Sequence, residues 1–172
     1  ALLLINLPKK GPIQRSCMKK LSIGTESALE KIKHYCSYQE RNHQEVKDKL
    51  YSFGLYAAQV EELLSELIAE NYLNEERYAI AFAGGKFRMK DWGRIKIRYE
   101  LKKNKVSDYC IKKALAQIDE TDYIKTAKKL MTYKLNALKS EKNAFIKKNK
   151  TKQYLLQKGY ELEIIIDLLS AS

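Results

Sequence analysis

Proline is all but missing from this chain. The only two, Pro8 and Pro12, fall within the first dozen residues, so nothing further along forbids a helix. Glycine is scarce too, with 7 in 172 residues, and no Gly-, Ser- or Pro-rich linker interrupts the sequence. Modular continuity fits that better than two unrelated domains. Cysteine is limited to Cys17, Cys36 and Cys110, an odd and scattered set without a CxxC pair. His34, Cys36 and His43 invite a metal reading, but structural zinc wants four ligands in tight pairs. Cys36 shares an apolar helical stripe with Ile32, where a free thiol behaves as a small hydrophobe. No metal is expected, and reduced thiols suit a cytoplasmic protein.

Long apolar runs are also lacking. Ala1 to Leu7 is apolar but short, and Lys9 and Lys10 follow it instead of preceding it. That is the wrong order for a signal peptide and far short of a membrane span, so no membrane partner is expected. Met18-Lys19-Lys20 has the form of a translation start. Residues 1–26 are therefore set apart as an N-terminal arm, with an upstream extension or a tag remnant as the alternatives for residues 1–17.

Catalytic motifs are missing as well. Gly84-Gly85-Lys86 suggests a phosphate loop, but Ile80 stands where the first Walker glycine is needed and Phe87 where Ser or Thr is needed. No HExxH, GxSxG or DxDxDG pattern occurs, and two histidines with dispersed cysteines assemble no nucleophile–base pair. The expectation is a non-enzyme with neither cofactor nor small-molecule substrate.

What the chain does contain is itself, three times. Leu50, Leu101 and Leu155 are followed four residues later by Gly54, Lys105 or Gly159, and five later by Leu55, Val106 or Tyr160. Ten later come Val60, Ile111 or Ile165, and fourteen later Leu64, Leu115 or Leu169. One supersecondary unit used in tandem gives such a pattern. Val60, Leu63, Leu64, Leu67 and Ile68 make one stripe on a 3.6-period helix. Ile111, Ala114, Leu115 and Ile118 repeat it, as do Leu162, Ile165, Ile166 and Leu169. Gly54 and Gly159 stand where a helix end wants a left-handed residue; Lys105, after Asn104, fills that place less comfortably.

Upstream of each anchor lies another helical pattern. Leu29, Ile32, Tyr35 and Cys36 mark the first, Tyr78, Ala79 and Phe82 the second, and Tyr123, Ala127, Leu130 and Met131 the third. Asn74 before Glu75 and Glu76, and the acids from Asp119 to Asp122, suit helix starts. The fold class is all-α: three tandem three-helix, helix-turn-helix-like repeats at 27–73, 74–118 and 119–172. They form an elongated or curved array, with stacked units and weakly touching beads both open. A unit of this size is marginal alone because too much of its surface stays wet.

Charge divides along the same boundaries. Residues 27–73 hold five basic and eight acidic side chains, whereas 74–118 hold twelve and five, and 119–172 hold eleven and seven. An acidic first repeat followed by two basic ones, within a net charge of +12, points to a polyanionic partner. Seven and three residues before the anchors come His43 and Lys47, then Arg94 and Arg98, then Lys148 and Lys152. Lys102 extends the middle row. Like charges at i, i+4 repel by a few tenths of a kcal/mol, roughly, so folding alone does not favour the row. The run Lys147 to Lys152 is equally a loosely ordered solvated segment. Arg88, Lys90 and Lys96 surround Trp92, which either stacks on a ligand or staples the helix corner, the staple being the default. The candidate binding surface is thus Arg88, Lys90, Trp92, Arg94, Lys96, Arg98, Lys102, Lys148 and Lys152.

The stretch 77–118 carries a further signal. Arg77-Tyr78-Ala79, Phe82, Lys86, Trp92-Gly93, Ile97-Arg98, Glu100-Leu101, Val106, Ile111, Ala114 and Leu115 follow one pattern. It resembles the middle repeat of the RecX family, bacterial regulators of the RecA recombinase. Gly84 and Gly85 in a helix interior, and Lys105 in place of Gly, depart from it. The resemblance implies a modular helical protein lodged in the groove of the RecA–single-stranded DNA filament. It implies inhibition of RecA strand exchange and ATP hydrolysis, restraining recombination, repair and the SOS response. The alternative is a stand-alone nucleic-acid-binding protein of helix-turn-helix type. The third helices begin Ala57-Ala58-Gln59, Ser107-Asp108-Tyr109 and Tyr160-Glu161-Leu162, with little base-reading equipment.

Overall fold

The computed structural model describes residues 24–171. Ala1 to Leu7, Pro8, Pro12, Cys17 and the Met18 start lie outside the described residues. The described residues form nine α-helices and no strand. The first group is α1 (Thr25–Tyr38), α2 (His43–Ser52) and α3 (Ala57–Ala69). Next come α4 (Glu75–Lys90), α5 (Arg94–Lys103) and α6 (Asp108–Ala116), then α7 (Glu120–Ala137), α8 (Ala144–Lys158) and α9 (Leu162–Ser170).

The three anchor leucines are fully buried near the ends of α2, α5 and α8. The turns after them are left-handed, with φ of +85° at Gly54, +60° at Lys105 and +92° at Gly159. Lys105 enters that region against the Cβ clash that glycine escapes, a cost of about 1 kcal/mol. In the second and third units the N–H of Val106 or Tyr160 donates back to the anchor carbonyl, closing the helix end in the same way.

Helix starts are set by side chains. Asn42 caps α2 in a reciprocal box with Glu45. Asn74, Ser107, Asp119 and Asn143 accept from the first-turn N–H groups of α4, α6, α7 and α8. Gly84 and Gly85 do not break α4, whose hydrogen-bonded turns run through both.

Two of the three expected stripes are buried almost as written. Val60, Leu63, Leu64 and Leu67 lie in the core and Ile68 at its exposed edge, while Ile111, Ala114, Leu115 and Ile118 are all buried. The third departs: α9 buries Ile165, Leu168 and Leu169 and exposes Leu162 and Ile166. This helix is apolar around most of its girth, so more than one stripe fits the 3.6 period and packing chooses. The run Lys147 to Lys152 is also not a loose segment. It lies within α8, which begins eleven residues before its anchor, whereas α2 and α5 begin seven before theirs.

Two cores result. Ala28, Ile32, Val46, Leu50, Val60 and Leu67 belong to one confined to α1–α3 and the turns that follow. The second is shared by α4–α9, from Tyr78 and Ile97 through Tyr123 and Leu155 to Leu169. Repeats two and three are therefore fused, and repeat one joins them through polar contacts. Arg77 pairs with Glu40 at 2.8 Å and donates to the Asn71 side chain and carbonyl. Tyr78 takes a hydrogen bond from Asn42 at 3.3 Å.

Candidate nucleic-acid interface

The second helices of the three repeats carry the cationic positions, and their ends meet. At the start of α5 the N–H groups of Gly93 and Ile95 donate to the carbonyls of Lys158 and Gly159, at 2.8 and 3.0 Å. The C-terminus of α8 thereby satisfies the N-terminus of α5, uniting opposite dipole ends. Lys158 also donates to the carbonyl of Lys90, the last residue of α4, and Tyr160 to that of Asp91, its C-cap. Where α5 ends, Asn104 shares the Tyr78 hydroxyl with Asn42, the cap of α2, and Lys105 reaches Gln44.

A buried tyrosine guards each junction. Tyr78 and Tyr123 both stand four residues after their helix caps, Asn74 and Asp119. The Tyr123 hydroxyl accepts from the Arg94 N–H at 3.0 Å and donates to Glu161 at 2.6 Å. Burial, then the bond to Glu161, pushes its ionisation far above the ordinary tyrosine range. It therefore stays a neutral donor at any physiological pH.

Arg94 belongs to this junction more than to an open surface. Its guanidinium lies 4.1 Å from the centre of the Tyr123 ring, 2.6 Å from Glu120 and 3.4 Å from the Ile118 carbonyl. Lys102 pairs with Asp108 at 3.0 Å, both well exposed. The row Arg94, Arg98 and Lys102 is consequently no uncompensated stack of like charges. Two members have acidic partners off the helix, Glu120 for Arg94 and Asp108, at the start of α6, for Lys102, which offset the repulsion that spacing alone implies.

The position three residues before each anchor separates the repeats cleanly. Lys47 is paired with Glu61 at 2.6 Å. Arg98 is exposed and Lys152 half-buried, and among the described residues neither has an acidic partner. Lys148 donates to the Leu169 carbonyl at 3.0 Å, in the last turn of α9, where a helix end favours a cation. Arg88 and Lys90 are exposed on the last turn of α4. Trp92 is half-buried against the shared core, with Lys96 4.8 Å and Lys86 5.3 Å from its ring centre. Packing of this kind holds the α4–α5 corner as a staple does.

Not all of the cationic surface was anticipated. A groove of about 460 Å³ between α7 and α8 is lined by Lys134, Asn149, Lys150, Gln153 and Tyr154. Tyr154 also borders a neighbouring hollow with Lys129, Tyr133 and Lys158. Lys134 and Lys158 lie 5.3 and 5.9 Å from the centre of the Tyr154 ring, and Tyr133 is exposed. Aromatic faces set among lysines suit a single strand, whose bases stack while its phosphates pair. The signal available in the sequence was the alignment of Asn149, Gln153 and Gln157 at i, i+4 and i+8 on α8.

Two features bound the chemistry. Among the described residues no group of three or more His, Cys, Asp or Glu side chains is gathered as metal ligands. No described helix is long and apolar enough to cross a membrane.

Comparison with known proteins bears on the same units. Residues 74–115 match the family model of the second three-helix domain of RecX, and residues 120–169 that of the third. The regulatory protein RecX of Clostridium botulinum (strain Eklund 17B / Type B) is 34% identical over 134 residues, covering 76% of this chain and 62% of its own length. That of Clostridium perfringens (strain 13 / Type A) is 33% identical over 124 residues, covering 72% of this chain and 58% of its own. The chain thus spans about three-fifths of the length of these relatives. The crystal structure of RecX from Lactobacillus salivarius superposes with a TM-score of 0.77 at 26% identity, over 86% of this chain and 95% of that one. With two successive domain models matched in order and the three-repeat fold in common, the chain belongs to the RecX family of regulatory proteins.

Proposed function

We propose that this protein binds the RecA–single-stranded DNA filament and inhibits RecA-driven strand exchange and ATP hydrolysis, so restraining recombination and the SOS response. The observation that carries this reading is membership of the RecX family across both basic repeats. The cations fit it. Arg98, Lys152 and the α7–α8 groove offer phosphate and acidic side chains a basic surface on the fused repeats. The acidic first repeat is attached beside that surface through polar contacts. Such an array follows an extended groove of alternating protein and phosphate better than it reads base edges. The protein acts in the cytoplasm, where the filament forms, and the role needs no cofactor and no catalysis.

Co-sedimentation tests the reading. The protein should pellet with RecA assembled on single-stranded DNA, and more tightly than with bare single-stranded DNA of the same length. Equal affinity for the two, or a preference for bare duplex, would favour the stand-alone nucleic-acid-binding alternative.

A further inference from the structure

Helix α4 has an apolar stripe that the other described residues cover only in part. Its inner side enters the shared core through Tyr78, Ala79 and Ala83. Ala81, Phe82, Gly85 and Met89 follow one another at helical spacing along one edge of a groove of about 290 Å³, which Tyr78 also lines and where Phe82 is partly buried against the shared core. Gln39 and Glu40, just beyond the end of α1, make its other wall. Met89 is 82% exposed and Tyr38, just before Gln39, equally so. Apolar side chains this open, gathered at a concavity, mark an interaction site more often than chance.

Two independent features say what fits there. The first is Gly85. A glycine inside a helix is disfavoured against alanine because its backbone loses more freedom on folding. Some close approach normally accounts for it, and none among the described residues does so: a Cβ built on Gly85 meets nothing within 4 Å. Among the described residues nothing occupies the space over Gly85, so the tight approach it permits is made by none of them. The second is charge. Lys86 and Lys90 stand on the rim, Lys86 lying 5.0 Å from the centre of the Phe82 ring. Among the described residues the one acid on the wall, Glu40, is engaged by Arg77.

We infer that the α4 groove docks a segment of a partner protein that carries leucine or aromatic anchors among aspartate and glutamate. The anchors lie over Gly85 between Phe82 and Met89, and the carboxylates meet Lys86 and Lys90. A nucleic acid is the poorer match, because the floor is aliphatic as much as aromatic and gives bases only one ring to stack on. The groove lies on α4, whereas Arg98 and Lys152 lie on α5 and α8. Its occupancy is therefore separable from the filament reading.

The probe is a phage-displayed pool of random peptides of about a dozen residues, the length such grooves take up. Selection is run on the wild-type protein and on Gly85→Gln, which fills the floor with a helix-favouring residue whose Cβ meets no neighbour within 4 Å among the described residues. Enriched sequences should combine Leu, Phe or Trp with Asp and Glu, and Gly85→Gln should weaken them at least about tenfold. With methyl-labelled methionine, the same peptides should move the Met89 signal and leave that of buried Met131 in place. Circular dichroism of the variant should show a melting point no lower than that of the wild type. Enrichment identical on Gly85→Gln, no enrichment, or a preference for basic peptides would overturn the proposal. So would a Met89 signal that moves only with oligothymidylate.

Discussion

Gly93 and Gly159 close the junction between the second and third repeats backbone against backbone. A Cβ on Gly93 would fall 2.2 Å from the Gly159 carbonyl oxygen, and one on Gly159 would fall 2.3 Å from the Cβ of Lys96. Neither neighbour is the loose end of a side chain, so neither gives way. The approach is what lets the Gly93 and Ile95 N–H groups reach the end of α8.

Alanine at Gly93 or Gly159 should therefore cost about 3 kcal/mol, combining overpacking with a left-handed φ at the second site. Gly54 also has a positive φ, and its alanine variant should cost only about 1 kcal/mol. Urea unfolding of the three variants checks this. Equal losses at all three would show that the turn conformation matters and the contact does not.

Lys105 offers the reverse experiment. It adopts φ +60°, and among the described residues an exposed contact to Gln44 is its one long-range polar partner. Lys105→Gly should raise stability by about 1 kcal/mol, since the left-handed penalty outweighs one exposed hydrogen bond. A lower urea midpoint would contradict it.

Arg94 and Arg98 should separate in stability assays although one helical turn divides them. Arg94→Gln loses the Glu120 pair and the Tyr123 face and should destabilise by about 1 kcal/mol, a figure kept small because Glu120 is well exposed. Arg98→Gln should change unfolding by no more than about 0.5 kcal/mol. Matching losses would contradict the division of labour along α5.

Glu75 gives the acid response a local origin. Burial alone would raise its carboxyl. The hydrogen bonds it receives from the Ser107 side chain, from Cys110 and from the Ser107 backbone outweigh that, with help from His43, and its pKa lies below the ordinary 4.5. A depressed folded value means stability that is full above the unfolded pKa and is lost as the pH falls through the folded one. Between neutral pH and about pH 3 the wild type should lose more stability than Glu75→Gln. Parallel losses would place the acid sensitivity elsewhere.

The sequence disclosed the repeat because its strongest determinants are local: a buried anchor, a left-handed turn and a capped start lie within twenty residues of each other. The anchors Leu50, Leu101 and Leu155, the turns at Gly54 and Gly159, the cap Asn74 and the acidic helix start from Asp119 to Asp122 were legible for that reason. The fate of Arg94 was not, because Glu120 and Tyr123 lie more than twenty residues on and nothing in the α5 pattern points to them. The Gly93–Gly159 contact was hidden for the same cause, each glycine looking like an ordinary helix terminus. In α9 the ambiguity was intrinsic, since Leu162 and Ile166 are as apolar as the residues that are buried. The residues 77–118 pattern pointed to the RecX family, but which cations remain open to a ligand emerged only from the pairing of their neighbours.

The most direct test of the central claim is RecA ATP hydrolysis on single-stranded DNA, with the cognate RecA titrated by this protein. The rate should fall as the protein approaches stoichiometry with RecA, and Arg98→Gln with Lys152→Gln should require more protein for the same fall while unfolding at an unchanged midpoint. Where phosphates are the contacts, each one lost should flatten the log-affinity against log-salt slope by about 0.7 on a single strand. A hydrolysis rate unchanged at saturating protein would contradict the account.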